Sequence, residues 1–220
     1  MKYKDPKELI GLEIMENGKP YVITGIGAIT EEHITLNIEV INIIEKEFEF
    51  DKAFEYILLV EGEYSNDKHD KGGKTMYGII ESEARKYGYK GEMNKMSKDI
   101  AEDIYKKKYW LKNNMDKIKD FRVALSIFDW TVNSGNWGTK KAQTAINKIY
   151  GEKVLTVDGI IGTNSLKYFN EVDPEEFLKV YHELQRAFYT SIVDNNPSQK
   201  VFLKGWFNRV SRKENFIKSL

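Results

Sequence analysis

The sequence predicts an α+β protein in which a small all-β module, residues 1–50, precedes a mainly α-helical domain, residues 51–220. Two changes of pattern support this division. Up to residue 50, apolar side chains alternate with polar ones, as in half-buried strands; beyond it they recur every three or four residues, as on one face of a helix. The charge changes at the same place. Residues 1–50 carry five lysines and ten acidic residues, a net charge of −5, and the other 170 residues carry 29 basic and 24 acidic residues, a net charge of +5.

The composition narrows the class of protein. Of the 220 residues, 41% are hydrophobic and 31% are charged, with four prolines, which excludes a disordered or fibrous chain. No apolar run is long enough to span a bilayer, and the N-terminus lacks the apolar segment of a secretory signal, so we expect synthesis in the cytoplasm and no membrane partner. The absence of cysteine excludes disulfides, and three scattered histidines suggest no metal site. The basic surplus after residue 50 is too dilute to indicate a nucleic-acid partner.

The first fifty residues favour a meander or barrel of about four strands. Residues 11–15 and 21–24 flank Asn17-Gly18, a dipeptide typical of two-residue hairpin turns. The apolar and polar alternation returns at residues 34–40 and again at residues 47–50. Because a module of this size buries little surface, we expect it to dock on the rest of the protein.

Helical periodicity dominates after Asp51. Phe54, Leu58 and Glu61 fall on one face of a first helix, which we expect to end at Gly62. The glycine-rich residues that follow, up to Lys74, predict an extended loop or hairpin. Five later helices are predicted from apolar side chains at helical spacing: Ile100 and Ile104 after a capping Ser97; Val123, Ile127 and Thr131; Ala142, Ala145, Ile146 and Ile149; Phe177, Tyr181, Leu184 and Phe188; and Phe202, Trp206 and Val210.

Two carboxyl groups in this region are suited to acid–base chemistry. Glu61 ends an apolar helix face, where partial burial and the negative end of the helix dipole both disfavour the anion and raise the pKa. Asp70 follows nine residues later in a glycine-rich turn, where we expect it to be solvated and ionised. Carboxyl groups with separated pKa values are the pattern of the general acid and base in glycoside hydrolysis. Thr75 offers a hydroxyl that would help to hold a water.

The same segment resembles a known family. Glu61-Gly-x-Tyr-x-Asn-Asp-x-x-Asp-x-Gly-Gly-x-Thr-x-x-Gly-Ile is similar to the signature of glycoside hydrolase family 108, peptidoglycan N-acetylmuramidases of phages and bacteria. The order of these residues is also similar to that of phage-type lysozymes. Residues 128–135, 157–162 and 204–210 resemble later stretches of the family, and the segment from about 150 to 215 resembles its C-terminal peptidoglycan-binding region. The resemblance does not cover residues 1–50.

The resemblance implies a lysozyme-like domain with a short β-hairpin at the active site. It implies a lysozyme (N-acetylmuramidase) that cleaves the β-1,4 bond between N-acetylmuramic acid and N-acetylglucosamine in peptidoglycan glycan strands, without a cofactor. Glu61 is then the general acid, while Asp70 and Thr75 orient the attacking water. Attack by water inverts the anomeric centre and direct attack by Asp70 retains it; the analogy to phage-type lysozymes favours inversion.

Four of the candidate site residues also have a purely structural interpretation. In a purely structural role, the side chain of Asp70 would form a hydrogen bond with the backbone of its own turn. Asp67 is an alternative candidate for the base. Tyr64 and Tyr77, the candidate sugar-stacking residues, are of a type common in protein cores. Asn133, which the resemblance implies at the border of the cleft as a partner of an N-acetyl group, stands before Ser-Gly and would also cap its helix. We expect three tryptophans in the core rather than on the surface: Trp110, Trp130 and Trp206.

Other functions fit the same sequence. A non-catalytic wall-binding or virion structural protein would keep this fold, and so would a chitinase- or chitosanase-like glycosidase. Since no secretory signal is visible, the sequence favours a phage endolysin released through a holin, or a tail-associated lysin, acting on the wall from the periplasm or the virion. Residues 1–50 are a candidate anchor to the wall, a docking module for the virion, or a lid over the cleft.

Overall fold

The chain divides into two compact units, residues 1–52 and 53–220. The computed structural model describes five stretches: residues 13–16, 19–22, 49–60, 64–65 and 74–220. In the first unit, strands β1 (Glu13–Glu16) and β2 (Lys19–Val22) pair antiparallel. Glu16 lies opposite Lys19, so two residues connect the strands, as the Asn-Gly dipeptide predicts. The strand predicted at residues 34–40 lies outside the described residues.

The strand predicted at residues 47–50 is wrong for its last two residues. Glu49 and Phe50 are helical and belong to helix α1, whose described part covers residues 49–60. Phe50 precedes Ala53 and Phe54 by three and four residues, so it also fits a helical apolar stripe. An alternation over four residues is too short to distinguish the two periods, and the longer helical pattern decides the conformation.

The described residues of the second unit are mostly helical and include one small antiparallel sheet. Its strands, in spatial order, are β3 (Tyr64–Ser65), β4 (Thr75–Met76) and β5 (Ile79–Ile80). The helices after the sheet are α2 (Glu81–Lys86), α3 (Lys98–Tyr105), α4 (Phe121–Ser134), α5 (Asn136–Tyr150), α6 (Thr163–Glu171), α7 (Pro174–Asn195) and α8 (Lys200–Lys218). Short 3-10 turns cover Met93–Lys95, Leu111–Asn113, Met115–Lys117 and Pro197–Gln199, and a π-helical turn, Lys106–Trp110, continues α3. All five helices predicted from apolar spacing are confirmed. Among the described helices, none combines the length and the apolar character needed to cross a membrane.

Several helices begin at side chains that satisfy the free backbone N–H groups of the first turn. Ser97 Oγ accepts a hydrogen bond from Ile100 N at 3.4 Å, which confirms the predicted cap of α3. The carboxylates of Asp120 and Asp173 do the same at the starts of α4 and α7. Pro174 occupies the first position of α7, where its missing N–H and fixed φ are no disadvantage.

Helix α4 is the central element of the second unit. It packs against α5 and α7, and α7 packs in turn against α5 and α8. Every side chain from Val123 to Thr131 is buried, so α4 is covered on all sides. Helices α4 and α5 approach closely at Gly138, where a Cβ atom would lie 2.5 Å from the backbone nitrogen of Thr131. Only glycine fits at this position.

Helix α4 also carries a fully buried carboxylate, Asp129, which pairs with two cations of α8. Arg209 Nε donates to Asp129 Oδ1 at 2.9 Å, and Lys213 Nζ lies 3.0 Å from Oδ2. Lys213 is itself fully buried and donates to Gln185 Oε1 of α7 at 2.8 Å. Burial raises the pKa of Asp129, but the charges of Lys213 and Arg209 outweigh it and hold the pKa below its usual value. The carboxylate is therefore ionised.

We predict that Asp129→Asn lowers the free energy of unfolding by about 3–5 kcal/mol, because it removes the buried carboxylate that pairs with Arg209 and with the fully buried Lys213. Urea unfolding followed by circular dichroism measures the loss. The double variant Asp129→Asn/Lys213→Met removes one of those cations as well, so it should recover part of the stability. A single variant as stable as the parent protein would show that Asp129 does not hold α8.

Candidate active site

The three-stranded sheet contains the described strands of the predicted hairpin. Thr75 of β4 lies opposite Ser65 of β3, and Tyr64 lies opposite Met76. The short β-hairpin predicted at the active site is thus confirmed in its paired strands. Two predicted catalytic residues, Glu61 and Asp70, lie outside the described residues, as does the alternative base Asp67.

Tyr77 and Gly78 form the two-residue turn between β4 and β5, in which Met76 pairs with Ile79. Both turn residues have positive φ, +50° and +73°, as a type I′ turn requires. Glycine adopts this conformation freely, whereas a tyrosine there raises the energy by about 1–2 kcal/mol. Strained residues of this kind cluster at functional sites. The strained backbone of Tyr77 is therefore compatible with the functional interpretation, although the turn type also requires a positive φ.

Tyr105 of α3 fixes the position of this turn. Its hydroxyl donates to the carbonyl oxygen of Tyr77 at 2.9 Å. The Tyr105 ring is buried between Phe54 of α1 and Phe128 of α4, with centroid distances of 5.5 and 6.4 Å. The turn that carries Tyr77 is therefore supported by three different helices.

A pocket of about 160 Å³ lies beside the turn. Its walls are isoleucines of β5 and α3, the rings of Tyr105 and Tyr109, and the charged pair Glu83 and Lys108. Pockets that hold a whole drug-sized molecule are roughly 300–1,000 Å³. This pocket therefore suits one substituent of a larger ligand rather than a complete sugar ring.

The charged pair at the pocket is fixed in its ionised form. Glu83 Oε2 and Lys108 Nζ are 2.7 Å apart, and Lys86 donates to Glu83 Oε1 at 2.6 Å. Hydrogen bonds from Lys108 and then Lys86 lower the pKa of Glu83 to about 2, so Glu83 does not serve as a general acid near neutral pH. The Lys108 ammonium also lies 4.6 Å from the ring centroid of Tyr109. Within the described part of the chain, no group of three acidic or histidine side chains could hold a metal ion.

Asn133 lies on the last turn of α4 and is exposed. Its Oδ1 accepts hydrogen bonds from Tyr189 Oη of α7 at 2.6 Å and from Ser134 Oγ at 3.0 Å. Among the described contacts, the partners of its side chain are these two residues and not the β4–β5 turn. The capping role considered for Asn133 is not seen, since Gly135 is the residue that ends α4.

Three residues at the pocket were not predicted from the sequence: Glu83, Tyr105 and Lys108. Tyr105 follows the apolar Ile104, and extending that stripe by one position would have found it. Lys108 is the last of three consecutive lysines, and the sequence does not indicate which of the three lies at the pocket. The π-helical turn decides which of them faces the pocket, and such turns are frequent at functional sites.

Two regions of the chain match models of known protein families. Residues 54–135 match the family model described as glycosyl hydrolase 108, and residues 138–211 match the one described as a predicted peptidoglycan domain. The chain therefore contains a glycosyl hydrolase 108 region followed by a peptidoglycan-domain region. The family and the order of its two regions confirm the resemblance seen in the sequence.

The match of residues 54–135 to glycosyl hydrolase 108 supports a glycosidase. Together with the peptidoglycan domain, it identifies a peptidoglycan hydrolase whose site of action is the cell wall. The structure of Brucella abortus SagA is similar in fold, with a TM-score of 0.65 and 24% sequence identity over 79% of this chain and 95% of that chain. Among curated proteins, none matches this sequence. The two matched regions share one compact unit and are joined by the buried pair of Asp129 and Arg209.

We predict that Tyr77→Asn preserves or raises the free energy of unfolding, by up to about 1 kcal/mol, because Asn-Gly is the favoured pair in a type I′ turn. If the Tyr77 ring contacts substrate, the same variant should clear cell walls about tenfold more slowly. Thermal unfolding and a turbidity assay measure the two effects. Tyr87→Asn, at a tyrosine of similar type beyond α2, is the control and should clear walls at the parent rate. Full activity of Tyr77→Asn would reduce Tyr77 to a turn residue.

Proposed function

We propose that this glycosyl hydrolase is an endo-acting N-acetylmuramidase, a lysozyme that hydrolyses the β-1,4 bond between N-acetylmuramic acid and N-acetylglucosamine. The observation that carries the proposal is the family match over residues 54–135, which includes Glu61, Asp70 and Thr75. The antiparallel pairing of Ser65 with Thr75 supports it further, because it gives the helix-then-hairpin arrangement expected of a lysozyme-like site.

Glu61 is the proposed general acid. It precedes Gly62, at which the sequence pattern predicts the end of the helix that contains Phe54 and Leu58. Proximity to the negative end of the helix dipole raises the pKa of a carboxyl group, as general-acid cleavage near neutral pH requires. Glu83, the acidic residue at the described pocket, is unsuited to this role because Lys108 and Lys86 keep it ionised.

Asp70 is the proposed base, with Thr75 helping to hold the attacking water. The pairing of Ser65 with Thr75 supports this assignment, since the segment that contains Asp70 connects two residues that lie side by side in the sheet. Attack by an activated water would invert the anomeric centre, which is the outcome we favour.

Substrate binding is assigned to Tyr64, Tyr77 and Asn133. The strained backbone of Tyr77, held by Tyr105, supports a role for its ring in stacking on a sugar. The pocket beside it has apolar walls and a charged pair, which suit the methyl group and the carbonyl group of an N-acetyl substituent. Asn133 would donate its amide to another N-acetyl group.

The start of the family match at residue 54 supports a difference in function between the two parts of the chain. We propose that residues 51–220 form the lytic domain, including the peptidoglycan-binding segment, because both family matches lie within them. Residues 1–50 would then hold the enzyme at the wall or the virion, in a role of the phage-endolysin or tail-lysin type.

Glu61→Gln tests the acid. The substitution keeps the shape of the side chain but removes the transferable proton, so the rate of wall clearing should fall by about 10²–10⁴. Glu63→Gln, the same change two residues away, is the matched control and should leave the rate nearly unchanged. Both variants should unfold at the parent temperature. Clearing by Glu61→Gln at the parent rate would refute its role as the acid.

A second pair of variants separates the two candidate bases. Asp70→Asn should lower turnover strongly, whereas Asp67→Asn should have a small effect, because Asp70 has the spacing of the family signature to Thr75. Turnover of soluble glycan chains measures both variants under the same conditions. The opposite ranking would move the base to Asp67.

A further inference from the structure

A continuous row of aromatic rings crosses the C-terminal helices, and we term it the aromatic ribbon. It runs through five residues of α5, α7 and α8: Trp137, Phe188, Tyr189, Trp206 and Phe202. Successive ring centroids are 5.3, 5.8, 5.2 and 6.0 Å apart. The two ends of the ribbon are about half exposed, with Trp137 at 49% and Phe202 at 52%.

The aromatic ribbon rests on the core and is fixed by it. Trp130 of α4 is fully buried and contacts the rings of Phe188 and Tyr189 at 5.7 and 6.2 Å. Trp206 stacks on Tyr189 with an interplanar angle of 23°. Tyr189, in the middle of the ribbon, is only 2% exposed, so a ligand would contact the exposed end rings rather than every ring in succession. Rigid aromatic groups lose little conformational entropy on binding, which favours a ligand with a flat apolar face at such an end.

A chain of hydrogen bonds fixes Asn133 beside the aromatic ribbon. Lys213 Nζ donates to Gln185 Oε1 at 2.8 Å, Gln185 Nε2 donates to Tyr189 Oη at 3.2 Å, and Tyr189 Oη donates to Asn133 Oδ1 at 2.6 Å. Because a lysine ammonium is only a donor, it sets the direction of every bond in the chain. The carbonyl oxygen of Asn133 is therefore used internally, and its exposed NH₂ group is the one presented to a ligand.

Two lysines add positive charge at the Trp137 end of the ribbon. The ammonium groups of Lys140 and Lys141 lie 5.7 and 5.9 Å from the Trp137 ring centroid, and Lys141 lies 6.0 Å from that of Phe188. A ligand that fits this surface must combine apolar ring faces, a hydrogen-bond acceptor and negative charge. A glycan of N-acetylated sugars that carries lactyl or peptide carboxylates has all three.

We propose that the aromatic ribbon, with Asn133 beside it, extends the binding of the peptidoglycan glycan strand to a surface that shares no residue with the pocket at Tyr77. Trp137 stacks on a sugar ring, Asn133 Nδ2 donates to an acetamido carbonyl, and Lys140 and Lys141 attract a carboxylate of the strand. The substrate class rests on the proposed function. The match of residues 138–211 to a peptidoglycan domain indicates the polymer but not the surface that contacts it.

Binding without cleavage tests the ribbon directly. In a full-length Glu61→Gln background, Trp137→Ala should bind purified peptidoglycan sacculi about tenfold more weakly in a cosedimentation assay. Tyr150→Ala removes an exposed aromatic from the other end of α5 and serves as the matched control, which should bind like its background. Undiminished binding by Trp137→Ala, or an equal loss in Tyr150→Ala, would overturn the proposal.

The chemistry of the occupant is tested at Asn133. Asn133→Asp replaces the donating NH₂ group by a carboxylate oxygen. The affinity for N-acetylated glycan strands should therefore fall, whereas the affinity for N-deacetylated strands should stay the same or rise. Loss of both affinities together would contradict the assigned acetamido contact. With Glu61 intact, Trp137→Ala should cleave short soluble chains at the parent kcat and lose rate only on walls. An active Glu61→Gln protein would refute the proposed mechanism, but the binding comparisons would still decide the ribbon.

Discussion

The buried charge of Asp129 is the constraint on which the second unit depends. A carboxylate that is not exposed to water is stable only next to its counter-charges. Helix α8 must therefore pack so that Arg209 and Lys213 lie against Asp129 of α4. The packing of α8 on α4 joins the hydrolase region to the peptidoglycan region in one compact unit. The preceding residue, Phe128, packs on Tyr105 and Trp110 instead. Two consecutive residues of α4 thus support the pocket on one side and the peptidoglycan region on the other.

The same charges also organise a surface. Lys213 neutralises Asp129 and at the same time begins the hydrogen-bond chain that ends at Asn133. A polar group that is oriented before binding loses less entropy when a ligand arrives, so a buried ion pair contributes to recognition without touching the ligand. Stability and binding are therefore linked through α7, which carries both the middle of this chain and two rings of the aromatic ribbon.

Regular local patterns made much of the fold predictable, and long-range partners account for the rest. The Asn-Gly hairpin, the Ser97 cap and five amphipathic helices depend on near neighbours in sequence, and the structure confirms them. Trp110 and Trp130 are buried as expected and Trp206 is partly buried, but the exposure of Trp137 depends on Phe188 of another helix. Asp129 stands in a motif recognised from the sequence, yet its partner lies 80 residues away. Of the candidate site, the paired strands around Thr75 are confirmed, while the roles of Glu61 and Asp70 stay predictions.

The identity of the bond that is cut is the central claim, and the products of digestion decide it. Purified peptidoglycan digested with the full-length protein, reduced with borohydride and separated for mass spectrometry, reports which sugar forms each new chain end. An N-acetylmuramidase leaves N-acetylmuramic acid at the reducing end, and we expect this sugar at every new end. Reducing ends made of N-acetylglucosamine, or digestion that releases peptides without new sugar ends, would contradict the proposed reaction.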